Sequence, residues 1–110
     1  MSLPILDNQS AKKPLGYNPL SERFLYYSDI ISGREKIVYP ISLSQSDKKM
    51  LIIERLKKGP DFTMQSISGN PYTRNDIIKA VNDNDEVGIM TLEAEISMLN
   101  DLLTKISENI

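Results

Sequence analysis

The chain has no histidine, no cysteine and no tryptophan among its 110 residues. Without cysteine there is no thiolate nucleophile and no disulfide, and without histidine there is no imidazole base and no Ser-His-Asp triad. Structural zinc sites are excluded too, because they are built from cysteine and histidine. We therefore expect no catalytic residues, no cofactor and no metal site, and a protein that is not an enzyme.

Two further features are missing. The glycines Gly59, Gly69 and Gly88 are isolated, so they form no phosphate-binding loop. No apolar run approaches the ~20 residues of a transmembrane helix, and the first residues lack the basic and apolar regions of a signal peptide. We expect a cytoplasmic protein with no membrane partner.

The charge is unevenly distributed, although the net charge is only −2. Residues 1–75 contain 11 Lys and Arg against 7 Asp and Glu, whereas residues 76–110 contain 2 against 8. Such a chain can pack its two oppositely charged parts together, or it can associate with itself or with a charged partner.

The length fits one small domain. Residues 1–19 are expected to form a flexible arm, because Pro4, Pro14 and Pro19 interrupt any regular element. Within this arm, residues 14–20 are apolar enough to dock along their own domain or a neighbouring subunit. Residues 20–110 are then the folded domain.

Residues 20–43 allow two interpretations at their start. Ser21 could cap a helix that ends near Gly33, or residues 24–31 could form one strand of a hairpin. The alternation of Ile37, Tyr39, Ile41 and Leu43 predicts a strand, and Pro40 would place it at a sheet edge.

Further along, the pattern predicts a helix over residues 46–58, a strand over 62–67 and a second helix that Thr73 caps together with Asp76. Apolar side chains share one side of the first helix: Met50, Ile52, Ile53 and Leu56. On the other side of this helix the pattern predicts a basic contact face, made of Lys48, Leu51, Arg55 and Lys58. It could touch phosphates or an acidic surface.

An acidic segment follows the second helix. Asp83, Asp85 and Gly88 match the first positions of an EF-hand calcium loop, but Ala94 stands where a bidentate carboxylate is required. We interpret the segment as a turn in which Asp85 or Asn84 caps the final helix.

The final helix is predicted over residues 86–109, and it carries an uninterrupted heptad seam. The predicted interface residues are Ile89, Leu92, Ile96, Leu99, Leu103 and Ile106. The seam can be the main core of the domain, or part of it can pack on a second copy or on another protein. Such a helix is about 36 Å long and can outrun a small domain, which favours self-association.

The sequence therefore predicts a small α+β domain with two or three short antiparallel strands and three main helices, the last long and amphipathic. The expected function is that of a non-enzymatic interaction or regulatory module that forms a homodimer through its C-terminal helix. The alternative is a nucleic-acid-associated regulator that uses the basic face of the helix at residues 46–58.

Overall fold

The computed structural model describes residues 12–65 and 69–110, which form a small α+β domain as predicted. Its four strands make two separate antiparallel sheets of two strands each. In chain order the elements are β1 (Gly16–Asn18), β2 (Arg23–Leu25), α1 (Tyr27–Ile31), a 3-10 turn (Pro40–Ser42), α2 (Gln45–Lys58), β3 (Thr63–Gln65), β4 (Pro71–Thr73), α3 (Arg74–Asp83) and α4 (Glu86–Ser107). Within the described ranges, no helix has the length and apolar character that crossing a membrane would require.

The three main helices begin where side chains cap them. The Ser44 hydroxyl accepts a hydrogen bond from the backbone N–H of Asp47 and starts α2. Thr73 and Asp76 form the predicted capping box of α3. The Asp85 carboxylate accepts from the N–H of Gly88 at 2.9 Å and starts α4. The acidic segment is thus a tight turn between two helices.

The turn between α3 and α4 brings the two helices into close contact. Asn84 ends α3 in the left-handed region, at φ 58°. In the first turn of α4, Gly88 lies directly against the backbone of Ala80 and Val81 of α3, where an added Cβ would overlap main-chain atoms. Only glycine fits there, so the close approach of the two helices depends on it.

Helix α4 packs on both α3 and α2, and its seam forms the centre of the core. Leu51 and Ile52 of α2 and Ile77 and Val81 of α3 bury their side chains against this cluster. The buried side of α2 therefore contains Leu51 rather than Met50, which is 38% exposed. The predicted buried side of α2 was wrong: the helix is rotated about its axis by roughly the angle that separates two consecutive residues.

Part of the predicted N-terminal arm belongs to the fold. Residues 1–11 lie outside the described residues, but residues 14–17 are buried, and β1 pairs with β2 in antiparallel register. The side chain of Leu15 is 1% exposed. This segment lies along its own domain, which is one of the two placements considered for it.

Residues 20–43 combine a strand and a helix. Strand β2 uses β1 as its partner, and the chain then enters the short helix α1, capped by the side chain of Asp29 on the N–H of Tyr26. The predicted edge strand over residues 37–43 was wrong. Pro40 begins a 3-10 turn, and the N–H of Ile41 bonds to the Asn100 side chain rather than to a neighbouring strand.

The second sheet is a small hairpin that precedes α3. Strand β3 covers the central part of the predicted strand and pairs with β4, while residues 66–68 lie outside the described residues. Every side chain of β3 is exposed. Arg74 fixes the base of the hairpin, because it donates to the carbonyl of Gly59 at 2.7 Å and pairs with Asp61.

We expect Gly88→Ala to destabilise the fold by about 2 kcal/mol, since the new methyl group must push α4 away from α3. The matched control is Gly59→Ala, where the added Cβ would meet the flexible end of Lys13 and would lie at an ordinary van der Waals distance of 3.5 Å from the carbonyl oxygen of Arg55. Chemical denaturation of both variants and the parent checks this expectation. Equal stability of the two variants would contradict the close approach at Gly88.

We also expect a pH-dependent contribution from Asp76. The N–H and hydroxyl of Thr73 hold the pKa of this carboxyl below its ordinary value. Its stabilising effect is therefore present above the pKa of the unfolded chain and is lost as the pH falls through the folded-state pKa. Asp76→Asn should be less stable than the parent at neutral pH, and thermal unfolding should show the difference vanishing in strong acid. A difference that persists in strong acid would contradict this cause.

Candidate functional site: an acidic helix face and a basic groove

The heptad seam of α4 is occupied within the molecule itself. Five of the six predicted interface residues are buried in the domain core: Leu92, Ile96, Leu99, Leu103 and Ile106. Only Ile89, at the N-terminal end, is largely exposed, at 42%. The seam is therefore the main core of the domain, which was the other interpretation of this pattern. A partner must contact a different side of α4.

The structure divides the predicted basic face of α2. Leu51 is fully buried and Arg55 is 7% exposed, whereas Lys48 is half-buried and Lys58 exposed. The four residues share no common surface. The prediction placed Met50 on the buried side, whereas Met50 is 38% exposed and Leu51 and Arg55 are buried instead.

Arg55 instead joins three parts of the fold. Its Nη1 donates to the carbonyl oxygen of Pro14 at 2.8 Å, and its Nε lies 3.6 Å from Oε2 of Glu95 on α4. Burial lowers the pKa of the Arg55 guanidinium, and the nearby Glu95 carboxylate opposes that effect. Arg55 thus holds the N-terminal segment and α4 against α2.

The exposed side of α4 presents an apolar row with acidic neighbours. Met90, Ala94 and Met98 follow one another at intervals of four residues and so lie in one row along the helix. Met90 is 60% exposed. We call this the acidic stripe, and its exposed charged residues are Glu86, Glu93, Asp101 and, at the C-terminal end, Lys105.

Helices α2 and α3 enclose a groove of the opposite charge. Ile53, Lys57 and Asn82 line two adjoining cavities of about 750 and 550 Å³, so the groove is continuous between the helices. We call it the basic groove. Its apolar lining residues are Phe24, Met50, Ile53 and Ile78, and its charged ones are Lys49, Lys57, Arg74, Lys79 and Glu54.

The charges of both surfaces are largely unpaired inside the domain. Within residues 12–65 and 69–110 the ion pairs are Arg34–Asp29, Arg55–Glu95 and Arg74–Asp61. Lys57 and Lys79 of the groove and the stripe's acidic residues form none among them. Lys49 reaches across the groove to the carbonyl oxygen of Asn82 at 3.4 Å. Two surfaces of opposite sign are therefore open to an outside partner.

The sequence contained a signal for these surfaces. Lys49, Ile53 and Lys57 are spaced by four residues, as are Met90, Ala94 and Met98, so each set predicts one helix row. Which row faces out depends on how the helices pack, and the heptad seam of α4 is buried while the row of Met90, Ala94 and Met98 is exposed. For the described residues, no group of three or more Asp or Glu side chains could hold a metal ion.

We expect the seam to behave as core when it is mutated. Leu103→Ala should lower the free energy of unfolding by about 3 kcal/mol, because it leaves a cavity in a fully buried position. The matched control is Leu20→Ala, at a position that is 95% exposed and outside both surfaces, and it should cost far less. Denaturation curves at several protein concentrations check this. A loss for Leu103→Ala that disappears at high concentration would indicate an intermolecular contact instead.

The chain was compared with known proteins by sequence and by structure. It matches no known family model. The searches of curated proteins and of solved structures also gave no significant match.

Proposed function

We propose that this protein is a non-enzymatic interaction module that self-associates through α4. In the proposed contact, the acidic stripe of one copy docks into the basic groove between α2 and α3 of a second copy. The observation that carries the proposal is the match of the two surfaces: an apolar row with acidic neighbours and an apolar groove with basic walls.

The apolar part of the contact supplies most of the affinity. Met90 and Met98 are flexible, polarizable side chains that adapt to an irregular groove. The groove offers Met50, Ile53 and Ile78 as a lining that is apolar and only partly covered. An amphipathic helix that lays its apolar row into such a groove is a common mode of recognition.

The charges set the orientation and the choice of partner. Two copies of α4 placed stripe to stripe would bring Glu93 and Asp101 against like charges, which disfavours that arrangement. In the groove the same carboxylates meet Lys57 and Lys79 instead. Electrostatic complementarity of this kind raises the association rate and excludes wrong partners more than it raises affinity.

The lengths of the two surfaces also agree. The stripe from Met90 to Asp101 spans about 17 Å along the helix axis, and the 14 residues of α2 extend for about 21 Å. The part of the stripe between Met90 and Asp101 can therefore lie along the groove of another copy.

The basic groove is also the one feature that favours the alternative, a nucleic-acid-associated regulator. Lys49, Lys57 and Lys79 could contact phosphates. We favour self-association because the groove has an apolar lining that phosphates leave unused, whereas the acidic stripe uses both the charges and the lining.

A charge-swap experiment tests the proposal. Lys57→Glu with Lys79→Glu, and separately Glu93→Lys with Asp101→Lys, should each weaken self-association about tenfold or more, since two attractions become repulsions. A mixture of the two double variants should recover association, because the reversed charges are again complementary. Sedimentation over a range of protein concentrations measures the effect, and raising the salt should weaken the parent's association.

The matched control is Lys12→Glu with Lys36→Glu, which changes the net charge equally at exposed positions outside the groove. It should associate as the parent does. A parent that stays monomeric at every concentration would refute self-association. A salt-sensitive gel shift with nucleic acid, abolished by the Lys57 and Lys79 changes but not by the control, would favour the alternative.

A further inference from the structure

We infer that the self-association is head-to-tail, so that it continues beyond two copies and gives chains or closed rings rather than a twofold dimer. This inference rests on the proposed function and goes beyond it, because it fixes the symmetry of the contact. It differs from the homodimer expected from the sequence.

The two surfaces face in opposite directions. Helix α4 packs its buried seam against both α2 and α3, so the apolar row of the stripe, Met90, Ala94 and Met98, points away from them. Glu93 and Asp101 lie at the edge of the stripe, where they line a cavity together with Gln45 and Lys48 of α2. No residue of α4 lines the basic groove, and the shallow cavity along the outer side of α4 is lined by α4 residues alone. The groove therefore lies on the side of α2 and α3 that faces away from α4, and the apolar row lies on the side of α4 that faces away from them.

This arrangement excludes a closed pair. In a twofold dimer the same patch of each copy lies at one interface, and residue i contacts residue j reciprocally. Here a copy that receives a stripe in its groove still presents its own stripe on the far side. The contact is heterologous, and such contacts propagate until a ring closes.

The stripe runs along α4, which is about 33 Å long, and the groove lies between α2 and α3. Each copy therefore offers one donor face and one acceptor face to its neighbours.

The test uses the full chain and the two blocked double variants. Lys57→Glu with Lys79→Glu blocks docking at the groove and leaves the stripe unchanged. Met90→Glu with Met98→Lys blocks docking by the stripe and leaves the groove unchanged. Each blocked variant alone should remain a monomer at the concentrations at which the parent associates. Mixed together they should stop at a one-to-one complex, because each supplies one working face, while the parent should grow past twice the monomer mass as its concentration rises. Circular dichroism checks that each variant stays folded, and a variant that unfolds is replaced by the matching single substitution.

The outcomes separate the two claims. A parent that stops at twice the monomer mass at every concentration overturns the head-to-tail contact while leaving self-association intact. A parent that never exceeds the monomer mass overturns both. Growth of the parent together with a one-to-one complex of the blocked variants supports the inference, and growth of either blocked variant alone overturns it.

Discussion

The contact of Gly88 with the backbone of Ala80 and Val81 determines how the rest of the molecule is arranged. Because α3 and α4 approach each other so closely there, the rotation of α4 about its axis is fixed. The heptad seam then points inward, and Leu99, Leu103 and Ile106 lie in the core. The opposite side of the same helix is left outside with its acidic residues.

A second constraint comes from the buried cation of α2. Arg55 holds the carbonyl of Pro14 and the carboxylate of Glu95, so the N-terminal segment, α2 and α4 meet at one side chain. Removing charges from water is costly, and such a site is tolerated only when its partners are in place. The lysines of the basic groove, by contrast, lie on the outer side of α2 and α3, where an external partner could contact them.

The sequence was informative where local signals are strong. The three main helices, the capping box of Thr73 and Asp76, and the α+β class all follow from residue patterns that act within a few positions of the chain. The structure decided between Asp85 and Asn84 as the cap of α4. The sequence was misleading over residues 37–43, where alternation suggested a strand. No neighbouring strand lies within the described part of the chain to pair with it, and pairing is a long-range property that alternation alone does not supply.

In the candidate site, too, some features follow from the sequence and others only from the packing of the helices. The amino-acid order determined that α4 has a continuous apolar seam and an acidic side, and that basic residues concentrate on α2. The tertiary structure alone decided which of these surfaces remained open. A helix of this amphipathic kind can bury its seam in its own domain or in a partner, and the choice depends on whether Leu51, Ile52 and Ile77 are placed to receive it. Their packing buries the seam and Arg55 inside the domain. The acidic stripe and the basic groove remain at the surface, on opposite sides of the domain.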